Sequence, residues 1–159
     1  MEKWIISIAP SIFIIIGGIV TWFIKSRSEE LQAIEKMLRE KQREIYLDIL
    51  DPYIHLFANL ASGKNQNEVM KKIVSYEYRK KAFELNFFGS DEVVQAHNSI
   101  LIISYNAEKT GVQDTKIMIK AWGMLLLEIR KSLGNKNTKL NELDMLHAML
   151  KDADKIWNR

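Results

Sequence analysis

One segment near the start of the chain restricts the possible folds more than any other feature. The 21 residues from Trp4 to Ile24 contain no charged side chain. As an α-helix they would be about 32 Å long, close to the ~30 Å hydrocarbon thickness of a bilayer. Trp4 and Trp22 stand near its two ends, where indole rings favour the membrane interface. We therefore predict a transmembrane helix at residues 4–24.

The residues that flank this segment predict its orientation. Lys3 is the only basic residue before it, whereas Lys25 and Arg27 follow it closely. Basic residues favour the cytoplasmic side, so we predict a single-pass protein of the inner (cytoplasmic) membrane with its C-terminal domain in the cytoplasm. A cleaved signal peptide would have a shorter apolar run and a small-residue cleavage site. The predicted domains are a transmembrane anchor at 1–27 and a cytoplasmic helical domain at 28–159.

Small residues line one side of the predicted span. Ser7, Ser11, Gly18 and Thr21 recur at i, i+4, i+11 and i+14. Small side chains let helix backbones approach each other, and hydroxyl groups can bond across helices. This pattern predicts a helix contact in a homo-oligomer, although glycine and serine are also common in membrane helices that make no such contact.

The rest of the chain has the periodicity of α-helices. Apolar residues recur at spacings of three, four and seven at Leu31, Ile34, Leu38, Ile45 and Ile49. Further apolar patterns of this kind are separated by breaks near Gly89, at 110–115 and near Gly134. They predict a helix from about residue 67 to 88 and a later one capped by Asp114. On the solvated side we expect the i, i+4 ion pairs Glu35 with Arg39 and Lys36 with Glu40. No segment alternates as a β-strand does. We predict an all-α fold, in which the membrane helix is followed by a bundle of four or five helices.

The motifs of the common enzyme classes are absent from the sequence. It has no P-loop, no glycine-rich dinucleotide motif and no nucleophile elbow. It has no cysteine, and its three histidines lack the spacing of a helical zinc site. We interpret His97, which stands among apolar residues, as a structural histidine. The sequence predicts a protein that is not an enzyme and has no cofactor and no metal site.

A basic run follows two tyrosines and raises the question of nucleic-acid binding. Arg79, Lys80 and Lys81 come directly after Tyr76 and Tyr78. Basic residues beside aromatic ones can bind single-stranded nucleic acid, but they also coat solvated helix faces. The net charge of +3 is small and both signs are interspersed along the chain. We favour the solvated face, so RNA is not expected as a partner.

The stretch around Arg130 has the most motif-like appearance. Arg130 stands near the end of a predicted helix, and Gly134, Asn135 and Lys136 follow it. An arginine in this position can bind an anion or a carboxylate of a partner. The alternative is ordinary helix-ending chemistry, in which a basic side chain offsets the negative helix end and glycine takes a left-handed conformation.

Together with the segment 87–94 (Phe-Phe-Gly-Ser-Asp-Glu-Val-Val), this stretch resembles the small single-span membrane accessory proteins of RNA-targeting type VI-B CRISPR systems. Those proteins are HEPN-like and helical, so the resemblance implies that fold here. It also implies ring-shaped membrane pores that strengthen anti-phage defence, with an RNA-guided CRISPR nuclease as functional partner.

The same resemblance does not imply a nuclease. An active HEPN ribonuclease needs an arginine and a histidine with about four to six residues between them. In this chain Asn135 and Lys136 follow Arg130, and the next histidine is His147. The resemblance therefore implies that Arg130, Asn135 and Lys136 form a degenerate motif or a contact between protomers.

Three functions are compatible with these observations. The first is a non-enzymatic membrane effector that self-assembles, as a pore if the resemblance holds. The second is a membrane-tethered helical module that recruits a cytoplasmic protein or RNA. The third is a membrane-bound ribonuclease, which rests on fold analogy alone and has the weakest basis.

Overall fold

The described part of the chain is helical. The structure, a computed structural model, describes the backbone of residues 2–62, 71–112, 114–147 and 150, and within the first helix it describes the side chains of residues 17–59. The helices are α1 (Glu2–Ser62), α2 (Tyr76–Phe88), α3 (Asp91–Thr110), α4 (Thr115–Ser132) and α5 (Glu142–Leu146). These residues include no β-strand, which confirms the all-α part of the fold prediction.

The predicted membrane-spanning helix is not found. Among the residues that the structure describes, no helix combines the length and the apolar composition needed to cross a membrane.

Two predictions are therefore wrong: the transmembrane helix at 4–24, and the inner membrane as the location of a single-pass protein with a cytoplasmic domain. The predicted pore depends on such a span and is not carried forward. The boundary predicted between residues 27 and 28 lies within α1.

The chain divides into two compact units, Met1–Glu40 and Lys41–Arg159. In the first unit every residue from 17 to 40 is exposed. Ion pairs one turn apart decorate this part of α1 and include the two that the sequence predicts, Glu35 with Arg39 and Lys36 with Glu40. Because exposed pairs of this kind contribute only a few tenths of a kcal/mol each, they support the helix without holding it to another element.

The second unit contains the hydrophobic core. The last part of α1 contributes Ile45, Tyr46 and Ile49, each no more than 1% exposed. They belong to one cluster with residues of the other helices, among them Leu85, Val93, Leu125 and Leu146. In this unit α3 packs on α4, and α4 packs on α5.

Polar side chains define where the helices of this unit begin. The Ser75 hydroxyl accepts a hydrogen bond from the Tyr78 amide and caps α2, which begins at Tyr76. The helix start predicted near residue 67 lies outside the described residues. Asp114 accepts bonds from two amides of α4, as the sequence predicts. Asn141 and Asp144 form a reciprocal capping box at α5.

A glycine in α4 permits the close approach of α5. A Cβ atom at Gly123 would lie 2.5 Å from the carbonyl oxygen of Glu142 and 2.8 Å from its Cβ. The first contact is with backbone, which cannot swing away as a flexible side chain can. Glycine is therefore required where α4 passes the start of α5.

We predict that Gly123→Ala lowers the free energy of unfolding by about 1–3 kcal/mol, because the added methyl group overpacks this contact. Gly18→Ala is the matched control, since it places the same methyl group in a helix where nothing lies within 4 Å. It should leave stability unchanged or raise it by less than about 1 kcal/mol. Urea unfolding followed by circular dichroism measures both, and equal effects would contradict the close approach.

Candidate functional site: a cavity lined by aromatic residues

A cavity of about 580 Å³ lies within the second unit, lined by residues of α1 to α4 and by Ile73 and Val74 before α2. Its volume falls in the range of small-molecule pockets, which are typically apolar with a few placed polar groups. Its aromatic lining residues are Tyr53, Tyr78, Phe83, Tyr105 and Trp122.

The floor of the cavity is built from rings that pack on one another. The ring centroids of Tyr53 and Trp122 are 4.1 Å apart with tilted planes. Phe57 meets Trp122 edge to face at 6.0 Å. Both Tyr53 and Trp122 are more than nine-tenths buried. Such pairs add about 0.5–1.5 kcal/mol beyond area burial, so this floor has a defined shape.

Three polar side chains form a hydrogen-bonded chain at the cavity wall. The Tyr78 hydroxyl donates to the Tyr53 hydroxyl at 3.0 Å. The Tyr78 oxygen also lies 3.3 Å from Nε2 of His97. Which group donates in this second contact depends on the histidine tautomer. The Tyr53 hydroxyl, which accepts from Tyr78, can itself donate to an acceptor in the cavity.

Burial keeps all three members of this chain neutral. Desolvation raises the pKa of Tyr53 above its ordinary value. Desolvation also raises the pKa of Tyr78, and the neighbouring Tyr53 hydroxyl raises it further, well above its ordinary value. Desolvation also lowers the pKa of His97, which is 3% exposed. His97 is thus buried and hydrogen-bonded, as expected of a structural histidine, and it also lines the cavity.

The mouth of the cavity is apolar and open to solvent. Val74, Phe83 and Tyr105 line the cavity and are each more than 60% exposed. Arg79, also a lining residue, is exposed at the same mouth. Apolar side chains that are exposed beside a cavity can contact a ligand or partner without any rearrangement of the core.

Sequence reasoning found His97 but missed the cavity. His97, Leu101, Ser104 and Tyr105 follow one another at i, i+4, i+7 and i+8 on one face of α3, and all line the cavity. This pattern was available in the sequence. It is also the pattern of an ordinary core face, so only the packing of α1, α2 and α4 distinguishes a cavity from a filled core.

A second cleft, of about 410 Å³, is lined by charged residues, and its lysine Lys81 is paired with neighbouring acidic side chains. Nζ of Lys81 lies 3.0 Å from Asp48, 3.3 Å from Glu84 and 3.8 Å from Glu44. The hydrogen bond that Lys81 donates to Asp48, more than any other interaction, raises the pKa of Lys81. Lys81 therefore joins α2 to α1, and it is not part of a solvated basic face.

The predicted helix-contact residues lie in α1. Gly18 and Thr21 are exposed, and nothing lies within 4 Å of a Cβ atom placed at Gly18. Ser7 and Ser11 belong to the same helix, but their side chains lie outside the described residues. The contact that these four residues would make in a homo-oligomer stays a prediction.

Arg130, Asn135 and Lys136 come together at the turn that follows α4. Nε of Arg130 donates to Oγ1 of Thr138 at 3.1 Å, and the Asn135 amide donates to the Arg130 carbonyl at 3.2 Å. Gly134 has a positive φ of 114°, in agreement with the predicted helix-ending glycine. Asn135 and Lys136 are exposed. These hydrogen bonds of Arg130 stabilise the turn. A contact of Arg130, Asn135 or Lys136 with another protomer stays a prediction.

In the described ranges, no three histidine or acidic side chains are grouped in a way that could hold a metal ion.

The fold and the site define an all-α protein with an aromatic-lined cavity. No family model, curated protein or solved structure matches this chain. The resemblance to the type VI-B accessory proteins stays a prediction.

We predict that acid destabilises this protein through His97. Because burial lowers the pKa of His97 in the folded state, the unfolded state binds its proton first as the pH falls. The free energy of unfolding should therefore decrease below about pH 6.5, the ordinary histidine pKa, by at most ~1.4 kcal/mol per pH unit.

His97→Gln is the variant that tests this, since its amide can donate to Tyr78 but does not titrate. Denaturant unfolding between pH 7.5 and 5 should show a shallower decrease in this variant than in the wild type. The same slope in both proteins would contradict the role of His97.

Proposed function

We propose that this chain is a non-enzymatic binding protein whose cavity receives an uncharged, apolar or aromatic group of a ligand. The observation that carries the proposal is the aromatic-lined cavity of about 580 Å³, whose lining includes the Tyr53 hydroxyl. This is the predicted binding module without the predicted membrane tether.

The polar chain favours a particular ligand chemistry. A carbonyl or ether oxygen on the apolar group would accept the Tyr53 proton, while the rings of Tyr53 and Trp122 contact its apolar part. The hydrogen-bonded side chains of Tyr53, Tyr78 and His97 also favour ligand recognition over catalysis. Burial raises the pKa of the Tyr53 hydroxyl, which makes it a hydrogen-bond donor and a poor proton donor at neutral pH.

We predict that Ser104→Phe abolishes binding of N-phenyl-1-naphthylamine, an uncharged dye whose fluorescence rises in apolar surroundings. Ser104 lines the cavity, so a phenyl group there should occupy it. Ser99→Phe is a closely matched control on the same helix. Both serine hydroxyls donate to the carbonyl four residues earlier at 2.9 Å, and Ser99 does not line the cavity.

Fluorescence titration of the full chain gives the result. The wild type and Ser99→Phe should bind the dye with equal affinity, and Ser104→Phe should lose at least tenfold. If the wild type does not bind the dye, or both variants bind alike, the cavity is not a binding site.

A separate feature of the first unit favours self-association as a second function. Ile24, Leu31 and Leu38 recur every seven residues, with Ile34 between the last two, and all four are more than 40% exposed. The ion pairs of Lys25 with Glu29 and Lys36 with Glu40 lie on the opposite side of the helix. Heptad spacing of this kind is buried when helices associate as a coiled coil.

We predict that Leu31→Asp together with Leu38→Asp converts a homo-oligomer to a monomer. Both charges would then be buried in the seam, the contact that Ile24, Leu31, Ile34 and Leu38 form between associated helices. Gln32→Asp adds one charge on the outer side of the same helix and should leave the oligomer intact. Analytical ultracentrifugation at micromolar concentration measures the mass. A wild type that is already monomeric would refute self-association, and a double variant of unchanged mass would exclude this seam.

A further inference from the structure

Helix α2 presents apolar side chains on two opposite faces, and only one of them is buried. Tyr78 and Leu85 point into the core. Tyr76, Phe83 and Phe87 recur at i, i+7 and i+11, so they lie in one row along the other face. Their exposed fractions are 75%, 66% and 77%. The row is about 16 Å long at the rise of an α-helix.

Two cations accompany the aromatic row. Lys80 lies within the row, one turn from Tyr76 and almost one turn from Phe83, and Arg79 lies at its edge. Both are exposed, and in the part of the chain that the structure describes neither makes an ion pair. Lys81, the third residue of the run, lies among Asp48, Glu84 and Glu44 instead. Acidic side chains of α1 and α2 therefore pair with Lys81. Arg79 and Lys80 are exposed and can contact a ligand.

The composition of this face identifies the partner chemistry. Its large exposed apolar side chains are all aromatic, and Arg79 and Lys80 form no ion pair with any described residue. Flat rings in a row can stack on successive bases, and adjacent arginine and lysine side chains can bind the phosphates between them. Aromatic residues and arginine are enriched at protein–protein interfaces as well, but lysine is depleted there, so Lys80 within the row favours a polyanion over an apolar protein surface.

Contrary to the expectation from the sequence that RNA is not a partner, we propose that the outer face of α2 binds single-stranded nucleic acid, with bases stacked on Tyr76, Phe83 and Phe87 and phosphates bound by Arg79 and Lys80. This inference goes beyond the proposed cavity function and does not depend on it. Tyr76, Lys80 and Phe87 do not line the cavity, so substitutions there separate the two functions.

The test is fluorescence anisotropy of a labelled 12-nucleotide oligouridine titrated with the full chain. Phe87→Ala and Tyr76→Ala should each raise the Kd by roughly 5- to 150-fold, the loss expected for one stacked base. Lys80→Ala should weaken binding and reduce the slope of log K against log salt by about 0.7, the value for one phosphate contact on a single strand.

Two conservative variants distinguish stacking from general apolar contact. Phe87→Tyr keeps a flat ring and should bind as the wild type does, whereas Phe87→Leu keeps apolar area and should bind as weakly as Phe87→Ala. Ile102→Ala and Lys109→Ala, exposed residues of α3, are the controls and should have no effect.

Three results would overturn the proposal. The first is the absence of oligouridine binding by the wild type at low salt. The second is binding whose affinity does not depend on salt. The third is a Phe87→Leu variant that binds as tightly as the wild type, which would assign the row to docking of an apolar protein surface.

Discussion

The packing of the second unit depends on one buried tyrosine of α1. Tyr46 is 1% exposed, and its hydroxyl oxygen lies 2.8 Å from Oγ of Ser132 and accepts a hydrogen bond from the Ser90 amide at 3.1 Å. A buried hydroxyl without partners would cost about 1–3 kcal/mol, so these bonds fix the end of α4 and the junction of α2 with α3 against α1. The walls of the cavity are held by this arrangement.

The same packing explains why one face of α2 remains unused by the core. Tyr78 and Lys81 are directed inward because their polar groups find partners there, His97 and Tyr53 for the hydroxyl and Asp48 for the ammonium. The helix period then places Tyr76, Phe83 and Phe87 outside. The cavity and the exposed aromatic row are thus two consequences of how one short helix is oriented.

The sequence predicted local features well because they depend on neighbouring residues. The all-α class, the Asp114 cap and the ion pair of Lys36 with Glu40 follow from helix spacing and capping chemistry. The bond between Tyr78 and His97 and the cavity depend on packing between separate helices, which periodicity does not give. The membrane span predicted at 4–24 was wrong, since no helix among the described residues is long and apolar enough to cross a membrane.

The claim that the cavity is a binding site is tested most directly by methyl NMR during a titration with indole. Ile73, Ile100 and Leu101 line the cavity, whereas Ile45 and Ile49 lie in the core and do not line it. The account predicts chemical-shift changes that saturate at the first three methyl-bearing residues, with no change at the other two. Changes spread over exposed methyl groups of α1, or no change at millimolar indole, would contradict it.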